Sequence, residues 1–173
     1  MYYCFVYPHK IFDSYMAKSK WNDDHVPQNV AIISICCQSE IKKKYLEEHK
    51  HETDEHWFKK NHSNVLNIEF DDITEEKLVT EKYGTAYGMS DADASKIIEF
   101  IEENKDKEFW ILHCRSGKSR SVATGMFIQK YFKEKHGIDV ELEAKAAGTK
   151  EYNKYMFKKF CKIAGLKDEY VEV

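Results

Sequence analysis

Phe109-Trp110-Ile111-Leu112-His113-Cys114-Arg115-Ser116-Gly117-Lys118-Ser119-Arg120-Ser121-Val122 changes character twice in fourteen residues. Its first four residues are apolar and bulky, as in a strand buried on both faces. The middle is a short polar loop with one glycine. From Val122 the apolar residues Val122, Ala123, Met126, Phe127 and Tyr131 recur at helical spacing. A strand, a tight polar loop and a helix N-terminus together form an anion cradle. The backbone N–H groups of Arg115 through Arg120 (Arg115, Ser116, Gly117, Lys118, Ser119, Arg120) can curl around one tetrahedral oxyanion, and Gly117 permits the curl. The dipole of the following helix adds positive charge at the same point.

Cys114 stands at the base of this cradle, where a positive field favours thiolate over thiol. A pKa in the range of about 3.5–7.5 is expected for such a sulfur. Arg120 returns at the far end of the loop with a planar fork matched to two phosphate oxygens. A thiolate below phosphorus and an arginine beside it are the parts needed for phosphoryl transfer to sulfur. Ser121 is placed to hydrogen-bond the sulfur and ease its departure. His113 is expected to order the loop by hydrogen bonding. Gly117-Lys118-Ser119 also looks like the end of a nucleotide-binding loop, but that motif needs a glycine where Leu112 stands.

The pattern His113-Cys114-x5-Arg120-Ser121 resembles the signature of the cysteine-dependent protein tyrosine phosphatases, the dual-specificity branch in particular. Composition alone produces such a match on the order of once in a few million start positions, so chance does not account for it. The resemblance implies an aspartate on a separate loop upstream that protonates the leaving oxygen. Leu66-Asn67-Ile68-Glu69-Phe70-Asp71-Asp72 is similar to the family's strand leading to that acid, and the match lands on Asp72, with Asp71 the alternative. The position also follows a strand-like run, and ligand sites in open α/β sheets lie beyond strand carboxyl ends. A second acidic group, Ser90-Asp91-Ala92-Asp93, reads instead as a helix capping box opening the run Ala94, Ile97, Ile98, Ile101.

The remaining chain supplies strands at Tyr2–Tyr7, Asn29–Cys36, Val65–Phe70 and Glu108–His113. Helical patterns cover Ile11–Lys18, a stretch from Ser39 with Ile41, Tyr45 and Leu46 on one side, and Asp91–Glu103. A last stripe is Tyr152, Tyr155, Met156, Phe160 and Ile163. His49–Ser63 reads as a solvated charged helix or an insertion, and Ile73–Met89 as a long loop near the site. Strands alternating with helices imply an α/β fold, a three-layer sandwich around a mostly parallel central sheet of about four or five strands. This order resembles the phosphatase fold over most of the chain, and residues 1–173 read as one catalytic domain.

Composition narrows the function further. The 173 residues carry a net charge of −3, so no global basic field draws in nucleic acid or membrane. There is no amphipathic basic helix or apolar anchor for a lipid surface. No secretory signal is evident, and the odd, scattered set of five cysteines suits reduced thiols in a cytoplasmic protein. His49, His51, His56 and His62 lack the spacing of metal ligands, and sulfur and arginine supply the chemistry, so neither metal nor cofactor is expected. The expected partner is a phosphorylated protein, with a small polyphosphorylated molecule such as an inositol phosphate second because Arg115 and Lys118 add charge around the loop. The protein is expected to act as a monomer. A phosphate-binding module without turnover is the remaining reading, set aside because Cys114 and Arg120 are both present. Cys36 and Cys37 end a strand that points toward the site, so either is a candidate disulfide partner for Cys114 under oxidation.

Overall fold

The computed structural model describes residues 1–144, 146 and 151–170. Among the described residues the chain runs β1 (Tyr2–Pro8), α1 (His9–Lys18), β2 (Val30–Cys36), α2 (Ser39–Glu48), β3 (Val65–Glu69), β4 (Lys77–Thr80) and β5 (Gly84–Tyr87). It continues through α3 (Asp91–Glu103), β6 (Phe109–Cys114), α4 (Arg120–His136), β7 (Val140–Ala144) and α5 (Lys154–Ala164). Five strands form one sheet in the order β3-β2-β6-β1-β7, and every neighbouring pair is parallel. Helices cover both faces, which makes the three-layer α/β sandwich expected from the alternation of elements.

The strand composition explains the layering. Side chains of a strand alternate between faces. From β2 and β6, Ala31, Ile33, Ile35, Trp110, Leu112 and Cys114 pack into the larger core, under α3, α4 and α5. Val30, Ile32 and Ile111 go to the other face, against Phe12 and Met16 of α1. Both central strands are thus apolar on both sides, which is why they read as continuous hydrophobic runs. Cys114 and His113 leave β6 toward opposite layers.

Helix α4 is buried along most of its length, from Arg120 to Phe132, and it ends at Gly137 in the left-handed conformation. Helix α3 opens with the expected capping box: Ser90 Oγ accepts the Asp93 N–H and the Asp93 carboxylate accepts the Ser90 N–H, both at 3.0 Å.

Three expectations change. Residues 73–89 hold the antiparallel hairpin β4–β5, with Leu78 and Val79 exposed and Ala86 its one buried strand position, so burial imposes no hydrophobic alternation on it. Of the two readings of 49–63, helix or insertion, the helix falls away: α2 ends at Glu48 and the chain runs on as a mostly irregular segment. On α5 the buried face is Met156, Phe157, Phe160 and Cys161, while Ile163 points outward. No helix among the described residues is long and apolar enough to cross a membrane, and all five cysteines are free thiols.

Candidate active site

The loop between β6 and α4 lies at the carboxyl end of the central strand, where a parallel sheet gathers its ligand sites. Gly117 makes its curl possible. Its φ is +67°, and a Cβ there would lie 2.5 Å from the Pro8 nitrogen and 2.6 Å from the Tyr7 carbonyl carbon. The loop is thus pressed against the β1–α1 junction, and the His9 N–H donates to the Arg115 carbonyl at 3.1 Å.

Cys114 is 1% exposed. Its Sγ is 3.0 Å from Ser121 Oγ, and the backbone N–H groups of Ser121 and Gly117 also point at it. Burial pushes the thiol up, but Arg120, the Ser121 hydroxyl and these amides outweigh it. The net effect holds Cys114 below the ordinary thiol value. Cys4, buried without such partners, is pushed strongly up. Two buried thiols on adjacent strands are thus shifted in opposite directions, Cys4 by burial and Cys114 by Arg120, Ser121 and the loop amides.

Arg120 is also buried. One end of its fork is anchored, with Nη1 donating to the Phe70 carbonyl at 2.8 Å and lying 3.6 Å from Cys37 Sγ. Its Nε has no acceptor. A buried guanidinium with one tethered edge and an unfilled N–H suits an incoming oxyanion. Burial works against its charge, but Cys37, Cys114 and Asp72 reinforce it.

The two neighbouring aspartates have different environments. Asp71 is buried, and its two carboxylate oxygens accept the N–H groups of Gln38 (3.0 Å) and Tyr87 (2.8 Å). It ties the β2–α2 turn to the end of the hairpin. Asp72 is exposed at the rim of the loop. Its Oδ1 accepts from Ser119 Oγ at 2.7 Å and from Asn153 Nδ2 at 2.8 Å. Ser119 precedes α4 yet forms no side-chain cap, so the helix keeps its free N–H groups toward the loop.

Asn153 was not singled out in the sequence. It caps α5 by accepting the Met156 N–H at 3.0 Å, its own N–H donates to the Ser119 carbonyl at 3.2 Å, and its amide holds Asp72 and the Ile73 carbonyl. An asparagine just ahead of an apolar stripe is a cap signal, but its reach to residues 72 and 119 is tertiary.

Other loop residues divide between ligand-facing and structural tasks. Ser116 is exposed, and its Oγ accepts the Lys118 N–H at 3.3 Å. The guanidinium of Arg115 is taken up by protein partners: Asp54 at 3.4 Å, Glu52 at 3.7 Å and the Tyr45 ring at 3.6 Å. His113 Nε2 and His56 Nδ1 each lie 2.6 Å from Ser34 Oγ, and His56 Nε2 is 3.0 Å from Glu69. Burial keeps His113 far below the ordinary histidine value, and the bond its side chain makes is to Ser34 of β2, not to the loop.

The four histidines of residues 49–62 do not converge. His49 stacks on Tyr45, His62 pairs with Asp23, and His56 joins the Ser34 chain. Of the adjacent cysteines, Cys37 lies within reach of Arg115 and Arg120. Cys36 turns to the opposite face, with its sulfur 3.5 Å from His56 Nδ1.

Comparison with protein-family models, with curated proteins and with solved structures finds no match to this chain.

Proposed function

We propose that this protein hydrolyses phosphomonoesters through a phosphocysteine intermediate, acting on phosphotyrosine or phosphoserine/threonine side chains of proteins. The observation that carries the reading is a thiol held below its ordinary pKa at the base of an amide-lined loop, beside a buried arginine with an unfilled donor.

In the first step the Cys114 thiolate attacks phosphorus in line with the ester bond. That bond breaks, and Asp72 gives its proton to the departing oxygen. Arg120 and the loop amides hold the equatorial oxygens throughout. In the second step water attacks the phosphocysteine and Asp72 accepts its proton. The S–P bond breaks, Ser121 hydrogen-bonds the returning thiolate, and phosphate leaves. The residues of this chain supply every proton and charge these two steps require.

The position of Asp72 on the loop rim supports it as the acid over Asp71, whose oxygens are committed to two backbone amides. The engagement of Arg115 by Asp54, Glu52 and Tyr45 favours a singly phosphorylated side chain over a polyphosphorylated small molecule, because one of the two extra cations is already paired.

A panel of phosphotyrosine and phosphoserine peptides, inositol phosphates and p-nitrophenyl phosphate tests the reading, with Cys114→Ser as control. Turnover of phosphopeptides by the wild type, abolished by the substitution and by vanadate, is expected. Equal, near-zero hydrolysis by both proteins, with phosphate ligands still bound, would identify a binding module.

A further inference from the structure

Directly beneath the loop, on the sheet face away from Cys114, three side chains with metal-ligating atoms converge. They are His9 at the start of α1, Cys36 at the end of β2 and Asp54 in the 49–63 segment. One ligating atom from each lies within 4.8 Å of the others. All three are buried, at 3%, 0% and 0% exposure. Neither ring nitrogen of His9 and neither lone pair of Asp54 Oδ1 is engaged at hydrogen-bond geometry; their charged neighbours, Asp13, Asp54 and Arg115, stand off at 3.4–3.9 Å. Folded proteins satisfy nearly all such atoms, and here His9 Nδ1 and Asp54 Oδ1 face each other across 3.9 Å with no hydrogen bond between them.

We propose that His9, Cys36 and Asp54 form a site for one zinc-class divalent cation. The surroundings orient each ligand. Asp13 Oδ2 lies 3.4 Å from His9 Nε2, and Asp54 Oδ1 lies 3.9 Å from His9 Nδ1. Once the ion displaces the Nδ1 proton, the proton kept on Nε2 by Asp13 holds the ring in the usual carboxylate–histidine–metal relay. Asp54 Oδ2 is fixed by the Cys37 N–H at 2.8 Å, so Oδ1 is the oxygen left for the ion.

One nitrogen, one sulfur and one oxygen select zinc or cobalt over magnesium or calcium. Metal–ligand bonds of about 2.0–2.3 Å require a contraction of roughly 1 Å at the widest pair. The ion displaces the proton on His9 Nδ1 and the thiol proton of Cys36, and both go to solvent. A divalent ion with a thiolate, a carboxylate and a neutral imidazole is uncharged overall, which suits a buried position. His9 also lines a cavity of about 460 Å³ shared with Asp13, Glu52, Arg115 and Ser116. That cavity reaches the His9 end of the site.

The site does not rest on the phosphatase reading, but it is linked to the loop. Asp54 Oδ1 is 3.4 Å from the Arg115 guanidinium, so an ion there takes Oδ1 away from a loop residue. Bound metal is therefore expected to change loop geometry and to act as a regulator, not as a reagent.

Titration of the chelator-stripped full chain with cobalt(II) tests the site. One equivalent should produce a sulfur-to-cobalt charge-transfer band, and zinc should bleach it. The band should persist in Cys114→Ser and disappear in Cys36→Ser, and Asp13→Asn should weaken binding about 10–100-fold. If Cys36→Ser does not fold, His9→Gln serves for the same comparison. Absence of the band at one equivalent overturns the site. So does a band that survives Cys36→Ser or His9→Gln, or one lost in Cys114→Ser, which would put the metal on the loop thiol.

Discussion

Asp71 and Asp72 are adjacent and chemically identical, yet their surroundings give them different work. Asp72→Asn should lower kcat about 10²–10⁴-fold on phosphoserine peptides, with a smaller loss on p-nitrophenyl phosphate, whose leaving group needs little protonation. Asp71→Ala strands two backbone N–H groups and should instead destabilise the fold by about 1–3 kcal/mol, read from denaturant unfolding. A kinetic loss confined to leaving-group-dependent steps in the Asp71 variant would exchange the two roles. Cys114 makes a second prediction. It is an acid held below its ordinary pKa in the folded protein, so its reactive form persists above that pKa and is lost as pH falls through it. Iodoacetamide alkylation of Cys114 should therefore show a half-point below that of an ordinary thiol, and Ser121→Ala should move it upward. The placing of Cys114 and Arg120 on one loop, at the end of a strand and the start of a helix, is legible in the sequence because local spacing fixes it. The choice of Asp72 over Asp71 rested on a resemblance there, and contacts with Ser119 and Asn153 now separate the two. His9, Ser34 and Asp54 carried no local signal, since their roles come from neighbours far along the chain.

At the scale of elements, β6, the loop and α4 act as one unit. Gly117→Ala forces a Cβ into the backbone of Tyr7 and Pro8 at a positive φ, and both effects oppose it. The variant should lose phosphatase activity together with the low alkylation pKa of Cys114. Asn153→Ala removes the α5 cap, at about 0.5–2 kcal/mol, and also releases Asp72. It should thus reduce both thermal stability and turnover, with the turnover loss again larger for poor leaving groups. A fall in stability with unchanged kcat would limit Asn153 to capping. The legible elements were those with a core face or a cap: β2 and β6 by unbroken apolar runs, α3 by its capping box. Strand β7 alternates as Val140-Glu141-Leu142-Glu143, a period-2 signal present in the sequence. The β4–β5 hairpin offers no such signal because its large apolar residues Leu78 and Val79 are exposed and Ala86 is its one buried position.

At the scale of the whole molecule, the parallel sheet brings residues 70–72, 114–121 and 153 to one edge. The layers are also joined at a distance from the site: Glu102 of α3 accepts from Tyr131 Oη at 2.7 Å and lies 2.8 Å from His136 Nε2, both on α4. Bonds from Lys105, Tyr131 and His136 lower its pKa to about 2. The His62 contact does the same for Asp23, also to about 2, linking the β1–β2 connection to the 49–63 segment. Each is depressed relative to the unfolded chain, so its stabilisation is full above the ordinary carboxylate range and is lost as pH falls toward 2. Urea midpoints should therefore fall between pH 5 and pH 2.5, and Glu102→Gln should flatten part of that fall. The central claim is that Cys114 carries the phosphoryl group during turnover. Acid-quenching the Asp72→Asn protein during reaction with p-nitrophenyl phosphate, followed by peptide mass spectrometry, tests it most directly. One phosphoryl group on the peptide containing Cys114 is the predicted result. Continued hydrolysis with that peptide unmodified, or with the label on another residue, would contradict it.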